Sequence, residues 1–163
     1  MEKGYKAMEK DTEFIMKVNE LALESIDSGG GPFGALIIKD GIVIAEAANC
    51  VVKDADPTAH AEIMAIRKAA SHIGSHNLSG CILYTSCEPC PMCLGAIYWA
   101  RIDKVVYSST RMDAARAGFD DDFIYSEIAL NTFERKVMFV HNTEIDGRLV
   151  FRKWDDSETK ISY

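Results

Sequence analysis

Phe33-Gly34-Ala35-Leu36-Ile37-Ile38-Lys39-Asp40-Gly41-Ile42-Val43-Ile44-Ala45-Glu46-Ala47 is the stretch whose reading decides the fold. Two runs of strand-forming residues flank Asp40-Gly41, and Asp-Gly between apolar runs is a strong signal for a tight hairpin. Working outward, Phe14, Val18, Leu21 and Ile26 recur at roughly helical spacing over residues 12–28, which Gly29-Gly30-Gly31 close. On the other side, Asp56-Pro57-Thr58 opens a second expected helix with Ile63, Ile66, Ala70 and Ile73 on one face. Cys81 to Thr85 reads as a buried strand, Pro91 to Ala100 as a helix and Lys104 to Ser109 as a strand. Short helices over Met112 to Ala117 and Phe123 to Leu130 follow, then a strand over Val137 to His141. Strands alternating with helices imply an α/β sandwich. The hairpin makes its partly parallel sheet a mixed one, of five strands.

The chain has 163 residues, within the ~100–200 expected of one domain. We therefore expect a single domain over residues 1–163, with 148–163 as a C-terminal tail. At 48% apolar and 26% charged residues it sits at the globular average, which excludes a disordered or fibrous chain. Apolar runs such as Cys93 to Ala100 fall far short of the ~20 residues of a membrane span. Met1 to Lys10 lacks the apolar core of a signal peptide, so a cytoplasmic location is expected. With 18 basic against 25 acidic side chains the net charge is −7, the wrong sign for a phosphate backbone. Neither nucleic acid nor membrane is an expected partner.

The cysteines are Cys50, Cys81, Cys87, Cys90 and Cys93, an odd set that disfavours a disulfide framework. Cys90 and Cys93 stand three apart at a helix start, so their sulfurs share one face. His60 and Glu62 are two apart and converge only if they sit in a first helical turn. Helix N-termini favour anions and thiolates, which suits a metal held off the ends of two helices. Three protein ligands leave a fourth position for water, the pattern of a catalytic rather than structural zinc. C-x-x-C alone also serves redox or structural roles, and Cys87 offers a fourth ligand that would close the site. Jointly, however, H-x-E followed by P-C-x-x-C is the signature of zinc nucleobase deaminases. Cys87 is accordingly assigned no ligand role.

The chain resembles the cytidine deaminase superfamily and, more narrowly, bacterial guanine deaminases. The likeness is carried by Gly31-Pro32-Phe33-Gly34-Ala35, by Asp56-Pro57-Thr58-Ala59-His60-Ala61-Glu62, and by the run Ser86 to Ala96 containing Pro89-Cys90-Pro91-Met92-Cys93. It continues through Ile97-Tyr98-Trp99-Ala100-Arg101 and Ala117-Gly118-Phe119-Asp120-Asp121, and is loose after residue 130. The resemblance implies a three-layer α/β/α fold and zinc-dependent hydrolysis of guanine to xanthine and ammonia, a step of purine catabolism or salvage. It places one zinc per chain on His60, Cys90 and Cys93, with Glu62 as proton shuttle. Asn49 would bind the purine edge, Asp121 would accept from the N–H donors of guanine, and Phe33 and Trp99 would sandwich the ring. Ala61 would offer backbone contacts. The resemblance also implies a homodimer whose C-terminal segment, ending at Tyr163, crosses to the neighbouring site.

Two rival functions frame the expectation. A tRNA adenosine deaminase shares the zinc core but needs cationic surface. From Arg148 onward this chain carries four basic and three acidic residues, so no basic tail is present. A non-enzymatic zinc module would need four protein ligands and leaves Glu62 without a role. The tail also has a signal of its own, because Leu149, Val150, Phe151 and Trp154 form an apolar cluster near the terminus.

Overall fold

A computed structural model describes residues 2–161. The chain divides between Tyr125 and Ser126 into two compact units. The first opens with helix α1 (Glu2–Asp27), followed by strands β1 (Gly34–Lys39) and β2 (Ile42–Ala48) and a one-turn helix α2 (Val51–Asp54). Helix α3 (Ala61–Ile73), strand β3 (Cys81–Cys87), helix α4 (Pro91–Trp99) and strand β4 (Lys104–Ser109) complete the layers. Helix α5 (Arg111–Arg116) then leads into α6 (Asp121–Ala129).

The sheet order is β2-β1-β3-β4, with β1 antiparallel to both neighbours and β3 parallel to β4. Helices cover both faces, so β1 carries a continuous apolar run rather than a polar alternation. Its side chains still alternate in direction. Ala35 and Ile37 pack with Ala61, Ala65 and Ala69 of α3 and Ile97 of α4. Leu36 and Ile38 pack on the opposite side with Phe14, Val18 and Leu21 of α1. The alanines of α3 let that helix lie close to the sheet. Gly34 performs the same service for α1, since a Cβ there would fall 2.3 Å from the Val18 carbonyl oxygen.

The Asp40-Gly41 hairpin forms as read. Both residues take positive φ, 50° and 79°, as a type I′ turn requires. The second helix starts later than expected. The Asp56 carboxylate accepts the backbone N–H and the hydroxyl of Thr58, each at 2.7 Å. That local turn postpones the helix, and His60 becomes its extended N-cap at ψ 153°.

The expected fifth strand is corrected: among the described residues the sheet has four strands, and Val137 to His141 is irregular. This segment belongs to the second unit. There the Lys136 N–H donates to the Glu127 carboxylate and Arg135 lies over the Phe139 ring, so local partners take the place of a strand neighbour. The second unit continues to helix α7 (Arg148–Asp155), where the Asp146 carboxylate pairs with Arg148 and Arg152. Leu149, Val150 and Phe151 are exposed on it. No helix among the described residues is long and apolar enough to cross a membrane.

Candidate functional site

Two helix starts meet at the C-terminal end of β3. His60 caps α3 and Cys90 caps α4, with Pro91 as the first residue of the latter helix. Neither cap uses its side chain to bond its own helix, which leaves both side chains for another purpose. The Nδ1 atom of His60 lies 3.6 Å from the Cys90 sulfur and 3.6 Å from the Cys93 sulfur. All three donor atoms lie within 4.8 Å of one another. With metal–sulfur bonds of about 2.3 Å and metal–nitrogen bonds of about 2.0–2.1 Å, a tetrahedron has an N···S edge of about 3.6 Å. One nitrogen and two sulfurs at this spacing fit zinc. Cys87 is elsewhere engaged, its S–H donating to the Thr110 carbonyl at 3.5 Å.

The electrostatics follow from proximity and burial. A hydrogen bond from the Cys93 thiol, with a further one from His60, outweighs burial and holds the Cys90 thiol down at about 4. In this pair Cys93 keeps the proton, its own ionisation opposed by Cys90 and by burial. A bound dication removes that proton as well. Burial pushes the Cys87 thiol up to about 11, with Glu62 and Asp121 adding to the effect. Glu62 is 5% exposed, and burial raises its carboxyl to about 7. Asp121 is likewise raised, first by burial and then by Cys90.

A cavity of about 210 Å³ opens beside the donor set. Phe33, Asn49, His60, Glu62, Cys90 and Asp121 all line it. Asn49 is oriented by its own loop, its Oδ1 accepting the Val51 N–H at 3.2 Å. Cys93 is fully buried behind the wall, and so is Ala61, the first residue of α3. The Ala61 N–H is one of the helix-start donors that lack an intrahelical acceptor. Trp99 does not reach the cavity. It ends α4, nine residues beyond the Cys90 cap, or about 13 Å along the axis, and is 66% exposed. Tyr163 lies outside the described residues.

The aromatic partner of Phe33 is instead Phe119, at 4.9 Å between centroids and an interplanar angle of 83°. Phe119 and Glu88 line the cavity without having been singled out as site residues in the sequence. Their only signal was membership in the resembling runs.

A buried carboxyl raised toward neutrality beside a His-Cys-Cys donor set and a small cavity is the arrangement of a metal-assisted hydrolytic site. The sequence profile of the cytidine and deoxycytidylate deaminase zinc-binding region matches residues 8–109, and the chain belongs to that family. Within it, the chain is 52% identical to guanine deaminase of Bacillus subtilis over 92% of its own length and 97% of that protein. A solved structure of guanine deaminase from Bacillus subtilis superposes with a TM-score of 0.91 at 51% identity, covering 93% of this chain and 98% of that one. A tRNA-specific adenosine deaminase of Aquifex aeolicus is 40% identical, over 73% of this chain and 79% of that protein.

Proposed function

We propose that this enzyme hydrolyses guanine to xanthine and ammonia at one zinc ion held by His60, Cys90 and Cys93. The observation that carries this assignment is the near full-length likeness to guanine deaminase. Zinc bound there would act as a Lewis acid that makes water a nucleophile near neutral pH.

The chain's own residues do the rest. Glu62, poised near neutrality, takes a proton from the water and delivers it to N3 of the purine. It then takes the remaining proton from the C2 hydroxyl and passes it to the amino group, which leaves C2 as ammonia while oxygen stays on the ring. Asp121 accepts from the N–H donors on the edge of guanine, Asn49 binds the opposite edge, and the Ala61 backbone supports the base. Phe33, edge-on to Phe119, supplies the apolar wall.

Several features support a homodimer in which the C-terminal tail serves the neighbouring site. Val150, Phe151 and Trp154, spaced three and four apart, share one side of α7 and stand exposed, an apolar face that an isolated chain leaves in water. The partner's Tyr163 would then close the cavity and exclude water once the base is bound. Trp99, exposed at the end of α4, awaits the same assembly. A reducing cytoplasm suits five free cysteines, two of them metal ligands.

Stoichiometry tests the reaction. One xanthine and one ammonia should form per guanine, activity should vanish on removal of zinc by a chelator, and added zinc should restore it. Undiminished turnover in the zinc-free protein would contradict the proposal.

A further inference from the structure

Asp121 begins α6, a helix whose first turn must be held at a fixed height above Cys90 if its carboxylate is to read a substrate edge. Tyr125 lies four residues on, and therefore on the same helix face. Its phenol O–H donates to the carbonyl of Pro89 at 2.9 Å, and Pro89 is the buried residue immediately before Cys90. The Arg111 guanidinium lies over the Tyr125 ring, 4.8 Å from its centroid. The same guanidinium pairs at 3.7 Å with Asp122, the neighbour of Asp121. Arg111 is itself anchored, its backbone N–H donating to the Glu88 carboxylate at 3.0 Å. Glu88 in turn donates its own N–H to Ser109 at 2.8 Å.

Through the start of α5, these contacts join two pieces of the cavity wall, the loop Glu88-Pro89-Cys90 and the first turn of α6. We infer that Tyr125, clamped by Arg111, is a positioning residue that sets the distance between Asp121 and the Cys90 loop and so fixes the register in which the substrate edge meets the metal site. Two contacts on one helix face are what this requires. The Tyr125 hydroxyl fixes how far α6 stands from the loop, and the Arg111–Asp122 pair fixes its rotation. A merely stabilising aromatic would need burial of the ring but no hydroxyl bond to the residue next to a ligand. The inference rests on the proposed guanine chemistry for its substrate and on this geometry for everything else.

Tyr125→Phe isolates the hydroxyl, because it keeps the ring and its contact with Arg111. Losing one hydrogen bond that orients a binding group should raise KM for guanine and lower kcat/KM about tenfold. Zinc content should stay at the wild-type value, the melting temperature should fall by only about 2–4 °C for the one lost bond, and the product xanthine should bind about tenfold more weakly by calorimetry. In an Asp121→Asn background the same change should cost less than about twofold, because its effect passes through that carboxylate. Arg111→Gln provides a second route to the same KM shift if Tyr125→Phe fails to fold. An unchanged KM in the variant that folds, or equal losses in both backgrounds, would overturn the inference. Wild-type protein inert toward guanine would instead overturn the proposed function, so the two failures are distinct.

Discussion

Glu62 has the environment that the proton-transfer role proposed for it requires. It is 5% exposed, its carboxyl is raised to about 7 chiefly by burial, and it follows the His60 cap by two residues. A carboxyl near neutrality serves equally as acid and base at physiological pH. Glu62→Ala should retain zinc, because the three donor atoms are untouched, while turnover falls by at least ~10²-fold. Metal analysis beside a guanine assay checks both halves, and near-normal turnover would leave the chemistry without its shuttle. The donor set of His60, Cys90 and Cys93 was legible in sequence because each short motif places its ligands at a helix start and its chemistry is distinctive. The aromatic wall was not. Trp99 and Phe119 both lie in resembling runs, and only the path of α4 and of the turn before α6 decides which one meets Phe33.

At the scale of elements, α1 is tied to the sheet by a polar cluster as well as by its apolar face. Asp11 of α1 accepts the Tyr84 hydroxyl of β3 and the ammonium of Lys104, at the start of β4, at 2.8 Å. Burial alone would raise the Asp11 carboxyl, but the hydrogen bonds from Lys104 and Tyr84 outweigh it and hold it below the ordinary value. A folded pKa below the unfolded one gives stability that is present above about pH 4 and is lost as pH falls through the folded value. Asp11→Asn should therefore be less stable than wild type at pH 6 in urea unfolding, and the gap should narrow below pH 4. A gap that widens in acid would contradict the assignment. The elements themselves divide by locality. The hairpin was legible because Asp40-Gly41 carries its turn chemistry within two residues. The start of α3 was misplaced because Asp56-Pro57-Thr58 serves a turn as well as it serves a helix start. The run Val137 to His141 has the composition of a strand, yet pairing is a long-range event that its own sequence does not contain.

At the scale of the whole molecule, the tail exchange proposed above can be tested by mixing two inactive chains. Co-refolding Glu62→Ala, which has an intact tail, with a chain truncated before Trp154 should generate activity from two inactive parents. Hybrid dimers would then hold one sound metal site under one sound tail. Hybrid dimers that form and stay inactive, or chains that remain monomeric, would contradict exchange. Substrate choice is also a property of the whole, since a net charge of −7 disfavours a phosphate backbone. The most direct measurement is ammonia release, under one set of conditions, from guanine, adenine, cytosine, their nucleosides and a tRNA anticodon stem. A carboxylate at Asp121 that pairs with the donors of guanine meets a lone pair on adenine, which is worth about tenfold to a hundredfold in selectivity. The account predicts guanine as the preferred substrate by at least that margin, and preference for adenosine in the tRNA stem would contradict it.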